Sequence, residues 1–186
     1  GVISRLLRAQ NDLRRDHPGF QLAIFDAWRP FEVQAFMVEY TVKLECQKRG
    51  FDSNLASSSK GVKEVIEQVS SFWAPPSLDP KVPSPHSTGA AVDLTLADMN
   101  GIALDMGGEI DSIDVISNPD YYADFAKFKP ESKYRLWHSR RSVLTKVMQS
   151  AGFVQHPNEW WHFSFGDQLW AWSKGSKCAI YGKATP

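Results

Sequence analysis

Two short stretches hold the residues best suited to chemistry. In "PSPHSTGAAVDLTLAD", residues 83–98, His86 lies in a loop of small and polar residues and Asp93 interrupts an apolar run. Burying an unpaired carboxylate is costly, so Asp93 calls for a partner, and a metal ion is one candidate. Strand alternation would put Ala91, Asp93 and Thr95 on one face and Val92, Leu94 and Leu96 on the other, with Gly89, Ala90 and Ala91 leaving room beside the carboxylate. In "HPNEWWHFSF", residues 156–165, Glu159 and His162 are three apart and would leave a regular strand on opposite faces. For both to serve one site, the chain must bend or bulge near Asn158 to Trp160. Taken singly, His86 reads equally as a solvated loop histidine and the second stretch as an aromatic core strand with a satisfied His162. Taken together, His86, Asp93 and His162 supply three ligands for zinc with an open fourth position, and Glu159 is a nearby carboxylate that need not bind metal.

A third stretch, "DAWRP" at residues 26–30, places Arg29 at the end of an apolar run. A permanent cation there needs an anion, and Asp26 can be that anion; a purely structural ion pair satisfies the same pattern. His17, His138 and His156 read as structural, being respectively in a helix stop, on an Arg-rich exposed helix and beside a proline in a turn.

The elements that must hold these residues follow from periodicity. Residues 2–19 form an amphipathic helix with Ile3, Leu6, Leu7 and Leu13 near one face and a His-Pro-Gly stop. "FQLAIFDAW" is strand-like, and Pro30 opens a helix whose Val33, Met37, Tyr40 and Leu44 recur at helical spacing. After a Ser-rich loop, Val62, Val65, Ile66, Val69, Phe72 and Trp73 make the clearest helical stripe, ended by Pro75 and Pro76. The chain from 99 to about 131 is turn-rich and reads as a surface excursion. Leu136, Val143, Leu144 and Val147 then mark a helix that stops at Gly152, and the C-terminal part alternates like two or three short antiparallel strands. Helices and strands without regular βαβ alternation predict an α+β fold with a mostly antiparallel central sheet flanked by helices.

A chain of 186 residues is expected to form one domain, residues 1–186. Lys plus Arg and Asp plus Glu both number 21, so no electrostatic footprint for nucleic acid or an anionic membrane surface exists. Cys46 and Cys178 stand outside any CxxC pattern and are read as free thiols. No apolar run reaches the roughly 18 residues of a membrane span, and no signal segment opens the chain; a cytoplasmic location is expected, with a periplasmic or secreted one as the alternative if a segment precedes this sequence. The abrupt start inside a helix suggests a preceding segment.

The set "DAWRP", "SPHSTGAAVDLTL", "LDMGGEID" and "GFVQHPNEWWHFSF", in that order, resembles the D-alanyl-D-alanine dipeptidase family of zinc peptidases from about residue 20 to 172. The resemblance implies the zinc fold shared by hedgehog-type and D,D-peptidase domains, and hydrolysis of D-Ala-D-Ala to two D-alanines in peptidoglycan precursor metabolism. It further implies His86, Asp93 and His162 as zinc ligands, Glu159 as general base and Arg29 as the group stabilising the transition state, in a site dried by Trp28, Trp160 and Trp161. Ser84 is implied near the substrate carboxylate, Asp111 near its ammonium, and Asp26 as support for Arg29. Family members carry an N-terminal segment ahead of the first helix that this sequence does not include. Part of the motif set is shared with D,D-carboxypeptidases acting on peptidoglycan stems and with non-catalytic zinc-binding relatives; a carboxylate placed as a base argues against the latter.

Overall fold

The alternation around Asp93 is realised in strand β2 (Ala91–Ala97), buried along its whole length in the computed structural model, which describes residues 1–53, 59–129 and 131–185. It pairs with β1 (Gln21–Asp26) on one side and β4 (His162–Ser164) on the other, and β3 (Val154–Gln155) adds to β4. All pairings are antiparallel, in the order β1-β2-β4-β3. The structure is α+β, as the element pattern requires.

Register is what builds the site. Asp93 stands opposite His162 on β4, and a bulge between Ile24 and Asp26 brings Asp26 opposite Asp93 on β1. One row across three strands therefore carries Asp26, Asp93 and His162. A one-residue slip would turn this row to the apolar face, and burial of Val92, Leu94, Leu96 and Phe163 in the core opposes that slip.

The core lies between that apolar face and two helices, α1 (Val2–Asp16) and α5 (Lys133–Ser150). α1 packs through Val2, Leu6, Ala9 and Leu13, whereas Ile3 and Leu7, expected on the same face, are exposed. α5 buries Leu144, Val147 and Met148 and leaves Leu136 outward. A second, smaller core joins α2 (Phe31–Lys48) to α3 (Lys60–Ser70) through Cys46, Val62, Val65, Val69 and Trp73. The stripe on α3 forms as read except for exposed Ile66. On α2 the buried side is displaced: Gln34 and Cys46 are buried and Met37, Val38 and Val42 pack, while Val33 and Tyr40 are exposed. Much of the Ser-rich loop between these helices lies outside the described residues.

Two regions differ from the sequence expectation. After β4 the chain does not continue as strands. Asp167 caps a short helix, α6 (Gln168–Ser173), its Oδ1 accepting from the Trp170 amide at 2.9 Å. The excursion from 99 to 131 is also not confined to the surface, because Met106, Ser117 and Tyr122 are buried and a short helix, α4 (Ala123–Phe128), follows. Its anchor is Arg141 on α5, only 1% exposed, which donates to the carbonyls of Met106, Ile116 and Asn118 at 2.8 Å each. The guanidinium lies against the rings of Tyr122 and Trp160, and burial pushes its pKa down to about 10. Arg141→Met would remove a donor from three carbonyls, of which that of Asn118 keeps the Tyr121 amide at 3.1 Å. A loss of about 3–5 kcal/mol in unfolding free energy is expected, read as a lower urea midpoint; an unchanged midpoint would mean that the excursion is held by other contacts.

Candidate active site

Each segment brings its side chain to the same cavity by a distinct local device. His86 sits in a 3-10 turn, Pro85–Thr88, that ends at Gly89 with φ +67°, a left-handed conformation that suits glycine and returns the chain directly into β2. The turn is tied to the end of β1 twice: the Arg29 amide donates to the His86 carbonyl at 3.2 Å, and His86 Nδ1 meets the Ala27 carbonyl at 2.8 Å. The bend expected between Glu159 and His162 is present as a turn across Pro157–Trp161. It lets Glu159 Oε2 approach His162 Nδ1 to 3.5 Å.

His86, Asp93 and His162, all buried, form a candidate metal centre. His86 Nε2 lies 3.2 Å from Asp93 Oδ2, His162 Nδ1 lies 3.0 Å from Asp93 Oδ1, and the two imidazole nitrogens are 3.3 Å apart. A four-coordinate ion with ligands at about 2.0–2.1 Å has ligand–ligand edges of about 3.3–3.4 Å; the two imidazole nitrogens match such an edge, and each has one carboxylate oxygen of Asp93 at a similar distance. Asp93 Oδ1 is also a buried oxygen without a hydrogen bond of good geometry, as expected of an atom positioned for a cation. Burial pushes the Asp93 carboxyl up, but the imidazoles of His86 and His162 more than reverse this and hold it well below the usual carboxylate range. For His86 burial acts downward, and Asp93 overrides it to give a net rise.

The cavity beside this centre measures about 490 Å³ and is lined by Arg29, Ser84, His86, Asp93, Asp111, Glu159 and His162, with Trp73, Trp161 and His156 among its walls. That volume is typical of a small-molecule site. Arg29 is buried and donates through Nε to Asp26 Oδ2 at 2.8 Å and through Nη1 to Gln34 Oε1 at 2.9 Å. Its Nη2 lies 2.6 Å from Asp26 and 3.6 Å from Asp93 without a well-aligned hydrogen bond, so donor capacity remains for another anion. Ser84 donates its hydroxyl proton to the Pro75 carbonyl at 2.9 Å and accepts from the Ser77 amide at 3.2 Å. Asp111 adopts φ +67°, unusual outside glycine but tolerated by Asp. Burial, then the charge of Asp93, pushes its carboxyl up to about 6, with Arg29 opposing. Burial, followed by Asp93 and Asp111, likewise raises Glu159 well above the usual range.

The aromatic walls are only partly those expected. Trp161 lines the cavity, but Trp160 turns to the core against Arg141, Trp28 is 39% exposed away from the cavity, and Trp73 takes a wall position. His156, read as a structural turn residue, lines the cavity too, with Nδ1 3.8 Å from Glu159 Oε2. Burial, then His162, pushes its pKa down to about 3, so the ring is neutral. Its place at the start of the turn that carries Glu159 was the available signal. Gln34, which positions Arg29, had none beyond helical phase.

Comparison with known proteins agrees with this architecture. The profile of the family described as D-ala-D-ala dipeptidase matches residues 2–178. The D-alanyl-D-alanine dipeptidase of Synechocystis sp. is 40% identical over 191 residues, covering 98% of this chain and 77% of that protein. Its Escherichia coli counterpart is 30% identical over 145 residues, covering 78% of this chain and 55% of that protein. Among solved structures, VanYB in complex with D-Alanine-D-Alanine superposes with a TM-score of 0.52 at 15% identity, covering 95% of this chain and 77% of that one, a likeness of fold. A family match across nearly the whole sequence and 40% identity to a curated relative place the chain in the D-Ala-D-Ala dipeptidase family of peptidases.

Proposed function

We propose that this cavity hydrolyses the D-Ala-D-Ala dipeptide to two D-alanines, in peptidoglycan precursor metabolism, with one zinc ion held by His86, Asp93 and His162. The observation that carries the reading is the convergence of those three donors with the Glu159 carboxylate, 3.5 Å from His162 Nδ1, inside a cavity that also holds a buried arginine and an acid. Bound there, zinc would supply a Lewis acid for the scissile carbonyl and lower the pKa of a water to about 7.

The chain's own residues supply the rest. Glu159 is placed to take a proton at its carboxylate as water adds to the amide carbon and to return it to the departing amine. Its environment favours the protonated form, which suits the second transfer. Arg29, held on both sides by Asp26 and Gln34, has unused donor capacity for the oxygen on which negative charge develops. A guanidinium already fixed by two partners needs little reorganisation at the moment of reaction. Asp111 offers a carboxylate to the substrate ammonium. Ser84 can serve the substrate carboxylate only by turning its hydroxyl away from Pro75.

Two imidazoles and a carboxylate also suit ferrous iron, so metal identity is part of the test. Elemental analysis of the purified protein is expected to give one zinc per chain, lost in both His86→Ala and His162→Ala. Iron in place of zinc, or full zinc retention in both variants, would overturn the assignment.

A further inference from the structure

Behind His162 lies a pair of buried polar residues that the hydrolytic mechanism does not use. His162 Nε2, the ring nitrogen remote from Asp93, is 3.3 Å from Ser164 Oγ, and Ser164 Oγ donates to Asp167 Oδ2 at 2.6 Å. Ser164 is fully buried and Asp167 is 2% exposed. Strand alternation accounts for the first contact, because residues two apart on β4 share a face. The second follows from Asp167 being the cap of α6, with Oδ1 on the Trp170 amide and Oδ2 left over for the serine.

We infer that Ser164 and Asp167 form an outer relay that selects the metal-binding tautomer of His162; the inference rests on the zinc reading above. A hydroxyl has one proton. With that proton directed to Asp167, Ser164 Oγ can only accept from His162 Nε2, which must then carry the ring proton. Nδ1 is left with its lone pair in the cluster. The competing tautomer has a built-in attraction, because Nδ1–H could donate to His86 Nε2, 3.3 Å away, with the Asp93 carboxylate close by, closing the site with its own ligands. The relay opposes that self-satisfied arrangement. Among the described residues Asp167 forms no ion pair with a cationic side chain, so its charge acts through the serine on the imidazole.

Asp167 also caps α6, and the two roles use different oxygens, which makes them separable. In Asp167→Asn the amide oxygen can keep the cap while the NH₂ faces Ser164 and donates to it. The serine proton is then free to point at Nε2, favouring the tautomer that cannot bind metal at Nδ1. Ser164→Ala removes the link without imposing the wrong tautomer.

Zinc dissociation constants, measured by competition with a chromophoric chelator at fixed pH, are expected to rise about 10–100-fold in Ser164→Ala and at least as much in Asp167→Asn. In the double variant the asparagine can no longer act through the serine, so its dissociation constant should return to that of Ser164→Ala rather than to the product of the two effects. Ser164→Ala leaves the cap intact and carries the test if Asp167→Asn fails to fold. Wild-type affinity in Ser164→Ala, or multiplicative losses in the double variant, would overturn the relay while leaving the zinc site standing. A wild-type chain that takes up no zinc would overturn both.

Discussion

Glu159→Gln is expected to keep one zinc per chain and to lose about two to four orders of magnitude in kcat, the range for removal of a general base. The amide keeps the shape and burial of the carboxylate but cannot accept a proton. Geometry separates this residue from the proposed ligands: Glu159 Oε2 approaches only His162 within the cluster, at 3.5 Å, whereas His86, Asp93 and His162 bring atoms within 3.0–3.3 Å of one another. Burial and the charges of Asp93 and Asp111 favour its protonated form, with Arg29 opposing, whereas a cation held by the three neighbouring residues would favour the carboxylate that a base requires. A group so balanced can take a proton and deliver it to an amine. Metal analysis and single-turnover rates on the same preparation decide the matter. Zinc lost in Glu159→Gln would make the residue a ligand, and an undiminished kcat would require another base.

How far the sequence discloses this site depends on what each residue's position rests on. His86, Asp93 and His162 were legible because their setting made them anomalous: a carboxylate in an apolar strand, and histidines beside turns. The period of β2 correctly divided its core face from its polar face, and the needed bend before His162 could be stated from spacing alone. What spacing could not give was register. The bulge that sets Asp26 opposite Asp93 is a property of the β1–β2 pair, and no local pattern in "QLAIFD" announces it. The same limit explains α2, where apolar residues recur around more than one face, so periodicity did not identify the side that meets α3. Arg141 was invisible for a different reason. A buried cation held by three carbonyls, with no carboxylate partner among the described residues, has no partner that a sequence reader could look for.

N-acetylation of D-Ala-D-Ala is expected to lower kcat/KM by about two to four orders of magnitude relative to the free dipeptide. A free dipeptide presents an ammonium and a carboxylate a short distance apart, and a site adapted to it needs a counter-charge near each end. Asp111, which lines the cavity, is the acid proposed to meet the ammonium. Its carboxyl is pushed up to about 6 chiefly by burial and by Asp93, which marks an acid short of positive partners, and a substrate ammonium would correct that shortage. An acetyl group removes the charge and adds bulk at the same point. Location sharpens the expectation, because Asp111, Phe72 and Trp73 stand between the catalytic cavity and a second cavity of about 770 Å³ that continues along α2. An extended stem peptide laid along α2 would have to pass this junction, and Asp111 would act against it there by desolvation as well as by favouring the ammonium. Asp111→Asn should therefore lower kcat/KM for the free dipeptide and shrink its advantage over the acetylated one, with metal content unchanged. Equal kcat/KM for the free and N-acetylated dipeptides in the unmodified protein would refute a closed dipeptide site and favour a carboxypeptidase that admits longer stems past Asp111.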